Sequence, residues 1–118
     1  MAIKNIAEVE VHLFICNGGT CCQKGAEEST RKIREYIADE GLDKVVHTSK
    51  TYCNGRCEDG PVVIAMPEGK WFKNVTPQNA KRFVKEYLVV KNGCEKLSLF
   101  TYGDNVIKVD VAVEAENK

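Results

Sequence analysis

Residues 9–25 read Val9-Glu10-Val11-His12-Leu13-Phe14-Ile15-Cys16-Asn17-Gly18-Gly19-Thr20-Cys21-Cys22-Gln23-Lys24-Gly25. Val9, Val11, Leu13 and Ile15 fall on alternate positions and so line one face of a strand, whose side chains repeat every two residues. That strand runs directly into Cys16 and the loop Asn17 to Thr20, where two glycines admit tight backbone paths that a Cβ would block. Thr20 followed three residues later by Gln23 has the form of a capping box, which predicts a helix from Cys21 to Glu40 with Gly41 closing it. On such a helix Cys22, Ala26, Ser29, Thr30, Ile33 and Ile37 recur every three or four residues and make one inward stripe. Gly25 within it costs ~1 kcal/mol relative to alanine, so it implies close backbone packing or a later helix start.

Downstream, Lys44 to Ser49 reads as a short second strand, and a polar, turn-rich loop follows from Lys50 to Pro61. The continuous apolar run Val62 to Met66 suits a buried strand, and Pro67-Glu68-Gly69 turns the chain into a fourth strand, Lys70 to Val75. Thr76 then Pro77 is an N-cap followed by proline at the first helical position, and Ala80, Phe83, Val84, Tyr87 and Leu88 form an amphipathic stripe. A helical crossover between the first two strands makes them parallel, while the tight turn makes strands three and four antiparallel. The fold class is therefore α/β: a four-stranded mixed sheet with two helices in the order βαβ-ββα. After Val90, Lys96 to Thr101 and Val106 to Val113 flank Gly103-Asp104-Asn105, an added C-terminal β-hairpin, and Glu114 to Lys118 is a polar, frayed end. The expected organisation is a domain over residues 1–90 and an extension over 91–118. The valine-rich hairpin edge can extend its own sheet or pair with another subunit, which leaves a homodimer open.

The chain has 118 residues, room for one core, and 17 basic side chains balance 17 acidic ones. No net field or basic stripe draws in polyanions, so DNA and RNA are not expected partners. No apolar run approaches the ~18 residues of a membrane span and residues 1–10 lack a signal-peptide core, so a cytoplasmic protein is expected. In that reducing compartment six cysteines, Cys16, Cys21, Cys22, Cys53, Cys57 and Cys94, point to metal or redox chemistry before disulfides.

Four of them form two local pairs, Cys16-x4-Cys21 and Cys53-x3-Cys57, each at a strand end or in a loop beside one. Four soft thiolates suit a tetrahedral zinc or a [2Fe-2S] cluster. The four-residue gap fits zinc knuckles loosely, and the C-x4-C-x2-C run of plant-type ferredoxins is absent. No pair has the C-x-x-C spacing of thiol oxidoreductases, and His12 and His47 lack the cysteine pairing of a Rieske site. Between the adjacent Cys21 and Cys22, helix phase favours Cys21 as ligand: a start near Cys21 sets its thiolate at the positive helix end and turns Cys22 onto the buried stripe. Cys94, far from both pairs, reads as a packing thiol.

Cys16-Asn17-Gly18-Gly19-Thr20-Cys21-Cys22-Gln23-Lys24-Gly25, Cys53-Asn54-Gly55-Arg56-Cys57 and Gly60-Pro61-Val62-Val63-Ile64, set in a βαβ-ββα order, resemble the thioredoxin-like [2Fe-2S] ferredoxin family over residues 9–90. The cluster domain of the 24-kDa-type subunit of respiratory complex I has similar spacing, with an added helical region that this chain lacks. The resemblance implies a thioredoxin-like fold, a [2Fe-2S] cluster on Cys16, Cys21, Cys53 and Cys57, and a one-electron carrier rather than an enzyme. Its partners would be redox proteins such as oxidoreductases. Backbone N–H groups of Gly18, Gly19 and Gly55 are candidate donors to sulfur, and Arg56 is expected to point into water. A zinc-stabilised binding module, a thioredoxin-like thiol redox protein and a cluster-based redox sensor are the alternative readings.

Overall fold

Leu13 and Ile15 alternate with His12 and Phe14 in the first strand, β1 (Val11–Cys16), and this alternation decides which face of the sheet is covered. The computed structural model describes residues 5–102 and 107–109. After β1 come two short-linked helices, α1 (Gly19–Gln23) and α2 (Ala26–Asp39), then β2 (Val46–Thr51), β3 (Val63–Met66) and β4 (Lys70–Phe72). Helix α3 (Ala80–Phe83) continues as a π-helical segment, Val84–Val89, before β5 (Ser98–Tyr102) and β6 (Ile107–Val109). The strands form one mixed sheet in the order β2-β1-β3-β4-β5-β6. β1 and β2 are parallel, as their helical crossover requires, with Val11 beside Val46 and Cys16 beside Thr51. Every other neighbouring pair is antiparallel.

Both helical layers lie on the face of Leu13 and Ile15. Ile33 and Ile37 of α2 and Ala80, Phe83, Val84 and Leu88 of the α3 segment pack there with Val46, Val63, Ala65 and Phe72. Phe72 meets Phe83 and Tyr87 edge-on, with ring centroids 4.9 and 4.8 Å away, arrangements that aromatic quadrupoles favour. The opposite face carries His12, which stacks on Phe14 at 4.1 Å and meets His47 edge-on at 4.8 Å. Nε2 of His12 lies 2.8 Å from Ser49 Oγ. The histidines are thus half-buried strand residues.

The structure departs from the sequence reading in identifiable places. The single helix from Cys21 to Glu40 is broken: Gly25 has φ 94°, in the left-handed region, and α2 begins at Ala26. A Cβ on Gly25 would lie 3.0 Å from Pro77 Cδ, so close packing and a later helix start both account for this glycine. The break removes Cys22 from the stripe, which consists of the buried Ala26, Ser29, Thr30, Ile33 and Ile37. Gly18, with no side-chain cap, is the N-cap of α1, so Thr20 and Gln23 sit inside the helix and form no capping box. Thr76 does accept from the Asn79 N–H, at 3.3 Å to its Oγ1, but residues 77–79 are turns and α3 starts at Ala80. The second strand starts and ends two residues later than read, and the fourth stops at Phe72. The C-terminal hairpin strands continue the same sheet, because β5 pairs with the outer side of β4. The turn read at residues 103–105, the strand read beyond Val109 and the frayed end fall outside the described residues.

Candidate metal centre

β1 and β2 are parallel neighbours and end together, so the loops that follow them share one pole of the sheet. The backbone N–H of Cys16 donates to Val62 O at 2.9 Å and that of Asn17 to Thr51 O at 2.8 Å, which stitches the first cysteine loop to both neighbouring segments. The second loop sits directly against the first. A Cβ on Gly18 would lie 3.0 Å from the Cα and N of Cys53, an approach open only to glycine. Cys16 Sγ donates to the Tyr52 carbonyl at 3.4 Å, on the residue preceding Cys53. Lys24 adds a third tie, its Nζ donating to Glu58 O at 3.1 Å.

Within the second loop, Gly55 takes φ 83° and its N–H donates to Cys53 Sγ at 3.3 Å, the donor to sulfur expected at this position. Asn54 Nδ2 closes the loop onto Thr51 Oγ1 at 2.8 Å. Arg56 does not point into water: it pairs with Asp59 at 2.7 Å, both side chains largely covered, across the 3-10 turn Cys57–Asp59. Cys57 opens that turn, and its backbone alone is described. Among the described residues, no three His, Cys, Asp or Glu side chains are gathered as a metal-binding group.

Cys21 and Cys22 part company at this pole. Cys21 is 1% exposed and shares an apolar cluster with Cys16, at 2%, together with Ala26 and Val62, while Ile64 and Trp71 pack against it. Cys22 is half-buried and its Sγ donates to the Asn17 carbonyl at 3.1 Å. Helix phase therefore runs opposite to the sequence reading, with Cys21 inside beside Cys16 and Cys22 at the margin. Cys53 is exposed, next to Tyr52 at 92% exposure, so the pole joins two buried thiols, Cys16 and Cys21, to the solvent-facing thiol of Cys53. Cys16, Cys21, Cys22 and Cys53 are all thiols, and such soft donors from two abutting loops fit an iron–sulfur cluster. Cys94 is buried in the main core, where burial first and the nearby Glu86 carboxylate second push its thiol pKa up to about 11. An apolar site of that kind suits packing and not ligation.

Sequence reasoning passed over Tyr52, Lys24 and the side chain of Asn17. Their roles depend on which loops meet, for which no local pattern exists.

Residues 3–88 match the family model described as thioredoxin-like [2Fe-2S] ferredoxin. A protein of Priestia megaterium named as a 2Fe-2S ferredoxin is 48% identical over 90 residues, covering 76% of this chain and 68% of its own. The 2Fe-2S ferredoxin of Clostridium pasteurianum is 32% identical over 90 residues, 70% of this chain and 86% of the relative. The crystal structure of the wild-type thioredoxin-like [2Fe-2S] ferredoxin from Aquifex aeolicus superposes with a TM-score of 0.66 at 27% identity, covering 77% of this chain and 97% of that one. A fold with both cysteine loops at one pole and relatives of this kind place the chain in the family of thioredoxin-like [2Fe-2S] ferredoxins, electron carriers that bind a [2Fe-2S] cluster.

Proposed function

We propose that Cys16, Cys21, Cys53 and Cys57 are the ligands of this ferredoxin's [2Fe-2S] cluster. The chain then serves oxidoreductases of the cytoplasm as a one-electron carrier, with no catalysis of its own. The contact of Gly18 with the Cys53 backbone carries this reading, because it brings two cysteine loops distant in sequence to one pole. When bound, the cluster takes up and releases one electron.

The chain's own residues shape that exchange. Cys16 and Cys21, packed with Ala26 and Val62, keep water from one side of the site. Cys53 and the exposed Tyr52 open the other side to a partner's surface. The Gly55 N–H on Cys53 Sγ and the Lys24 ammonium beside the Cys57–Asp59 turn both favour the more negative, reduced state. All four proposed ligands precede Val90, so residues 1–90 hold the electron-transfer unit, and β5 and β6 of the 91–118 extension lengthen its sheet. A homodimer formed through β6, the terminal strand of the sheet order, completes the proposal for partners.

The test is iron and acid-labile sulfide content with the visible spectrum of protein purified without oxygen, before and after dithionite. Two irons and two sulfides per chain, as a [2Fe-2S] cluster requires, with a bleachable band are expected. One zinc and no sulfide would overturn the assignment in favour of a binding module. Cys21→Ser is expected to lower iron content and shift the spectrum, whereas Cys22→Ser leaves both near the parent. The reverse pattern would reassign the second ligand. Sedimentation across a range of concentrations tests the dimer, and a monomer throughout would remove it.

A further inference from the structure

Between Cys16 and α1 one side chain has every polar atom committed. Asn17 Nδ2 donates to Ile15 O at 3.1 Å and to Thr30 Oγ1 at 3.2 Å. Thr30 is 1% exposed, and its own hydroxyl proton goes to Ala26 O at 2.8 Å, which leaves a lone pair facing Asn17. Both Asn17 partners are acceptors at this point, so the amide must turn its nitrogen, and not Oδ1, toward them. The Asn17 carbonyl group of the backbone accepts the Cys22 thiol at 3.1 Å, and Oδ1 faces the same sulfur at 3.9 Å. Its backbone N–H is held by Thr51 O. One residue thus ties β1, β2, α1 and α2 together beside the two buried thiols.

We propose that Asn17, seated on the Thr30 hydroxyl, is the positioning residue of the cysteine pole: it sets the loop that spaces Cys16 from Cys21 and holds it before any cluster is bound. Cys22 acts in the same device as a thiol donor to the loop and not as a ligand. The proposal rests on the assignment of Cys16 and Cys21 as ligands, but its structural half concerns the protein alone. An aspartate at position 17 has no N–H for Ile15 O, and a valine at position 30 removes the acceptor while filling the same volume. Leaving one N–H of this part-buried amide without its acceptor is costly enough to loosen the loop about tenfold.

The deciding comparison is Thr30→Val against Thr30→Ser in the full chain. One keeps the shape without the hydroxyl, and the other keeps the hydroxyl without the methyl. In the apo protein, hydrogen exchange at the Asn17 and Cys22 amides is expected to quicken at least about tenfold in Thr30→Val and stay near the parent in Thr30→Ser, with the Ile64 and Phe72 amides as controls for the sheet. In the loaded protein, the visible circular dichroism and the reduced-state EPR g-values are expected to shift in Thr30→Val and in Asn17→Asp only. Equal behaviour of the two Thr30 variants, or damage confined to Thr30→Ser, would mean that Thr30 merely packs and would overturn the proposal. Should the parent chain take up no iron or sulfide, the ligand assignment fails, while exchange in the apo protein still decides the role of Asn17.

Discussion

Gly18 has the strictest steric requirement at the site. The atoms that a Cβ would meet at 3.0 Å are backbone atoms of Cys53, which cannot swing aside as the end of a long side chain can. Gly18→Ala is therefore expected to push the two cysteine loops apart while the sheet stays folded. The variant should lose iron and sulfide on desalting faster than the parent, with far-ultraviolet circular dichroism unchanged; equal retention would show that the loops can part without consequence. Cys21 and Cys22 make the complementary point. Neighbouring helical residues point about 100° apart, so a small shift in where a helix begins exchanges the buried thiol for the marginal one. The family resemblance points to Cys21, and burial beside Cys16 supports the same residue by a different argument.

The break between α1 and α2 is the feature of secondary structure on which the pole depends. It lets α1 be a separate short turn whose thiols are oriented independently of the α2 stripe. Gly25 is required there twice over, by φ 94° and by Pro77 at 3.0 Å. Gly25→Ala is expected to cost about 1–3 kcal/mol of unfolding free energy, since alanine must adopt a left-handed conformation and displace the proline ring. Urea unfolding of parent and variant measures this, and a change below about 0.5 kcal/mol would mean that the junction relaxes freely. At the C-terminal side, the pairing of β4 with β5 buries Leu97 and Leu99, and Lys70 reaches Glu95 at 3.5 Å. Strand β5 and the Glu95–Leu97 turn before it are thus packed along β4.

Across the whole molecule, helices on one face leave the other to His12, Phe14 and His47, and this asymmetry has a pH consequence. Burial first and the neighbouring His47 second lower the His12 pKa below its ordinary value of about 6.5. The unfolded chain then takes up its proton at a higher pH than the folded one, so acidification through about pH 6.5 draws the equilibrium toward unfolding. Apo protein is expected to be less stable at pH 5.5 than at pH 7.5, and His12→Gln to lose less over the same interval. Urea titrations at the two pH values provide the check, and identical pH dependence in parent and variant would exclude His12 as a source. Among the described residues no helix is long and apolar enough to cross a membrane.

Much of this protein was determined locally. The two-residue alternation from Val9 to Ile15, the apolar run from Val62 to Met66, the turn at Pro67-Glu68-Gly69 and the stripe Ala80 to Leu88 depend on neighbours a few residues away, and they sufficed for a βαβ-ββα order with two cysteine loops. The chain also marked Gly25 as a place of close packing or of a later helix start, without naming the neighbour that enforces it. That neighbour is Pro77, about fifty residues further along, which only tertiary packing brings into contact. The same holds for the meeting of Gly18 with Cys53, for Asn17 on Thr30, and for the orientation that buries Cys21 and leaves Cys22 at the margin. Hydrophobic period and turn chemistry act within a few residues and can be read in order along the chain, whereas the geometry of the cysteine pole is set by contacts between distant segments whose partners exist only once the sheet has formed.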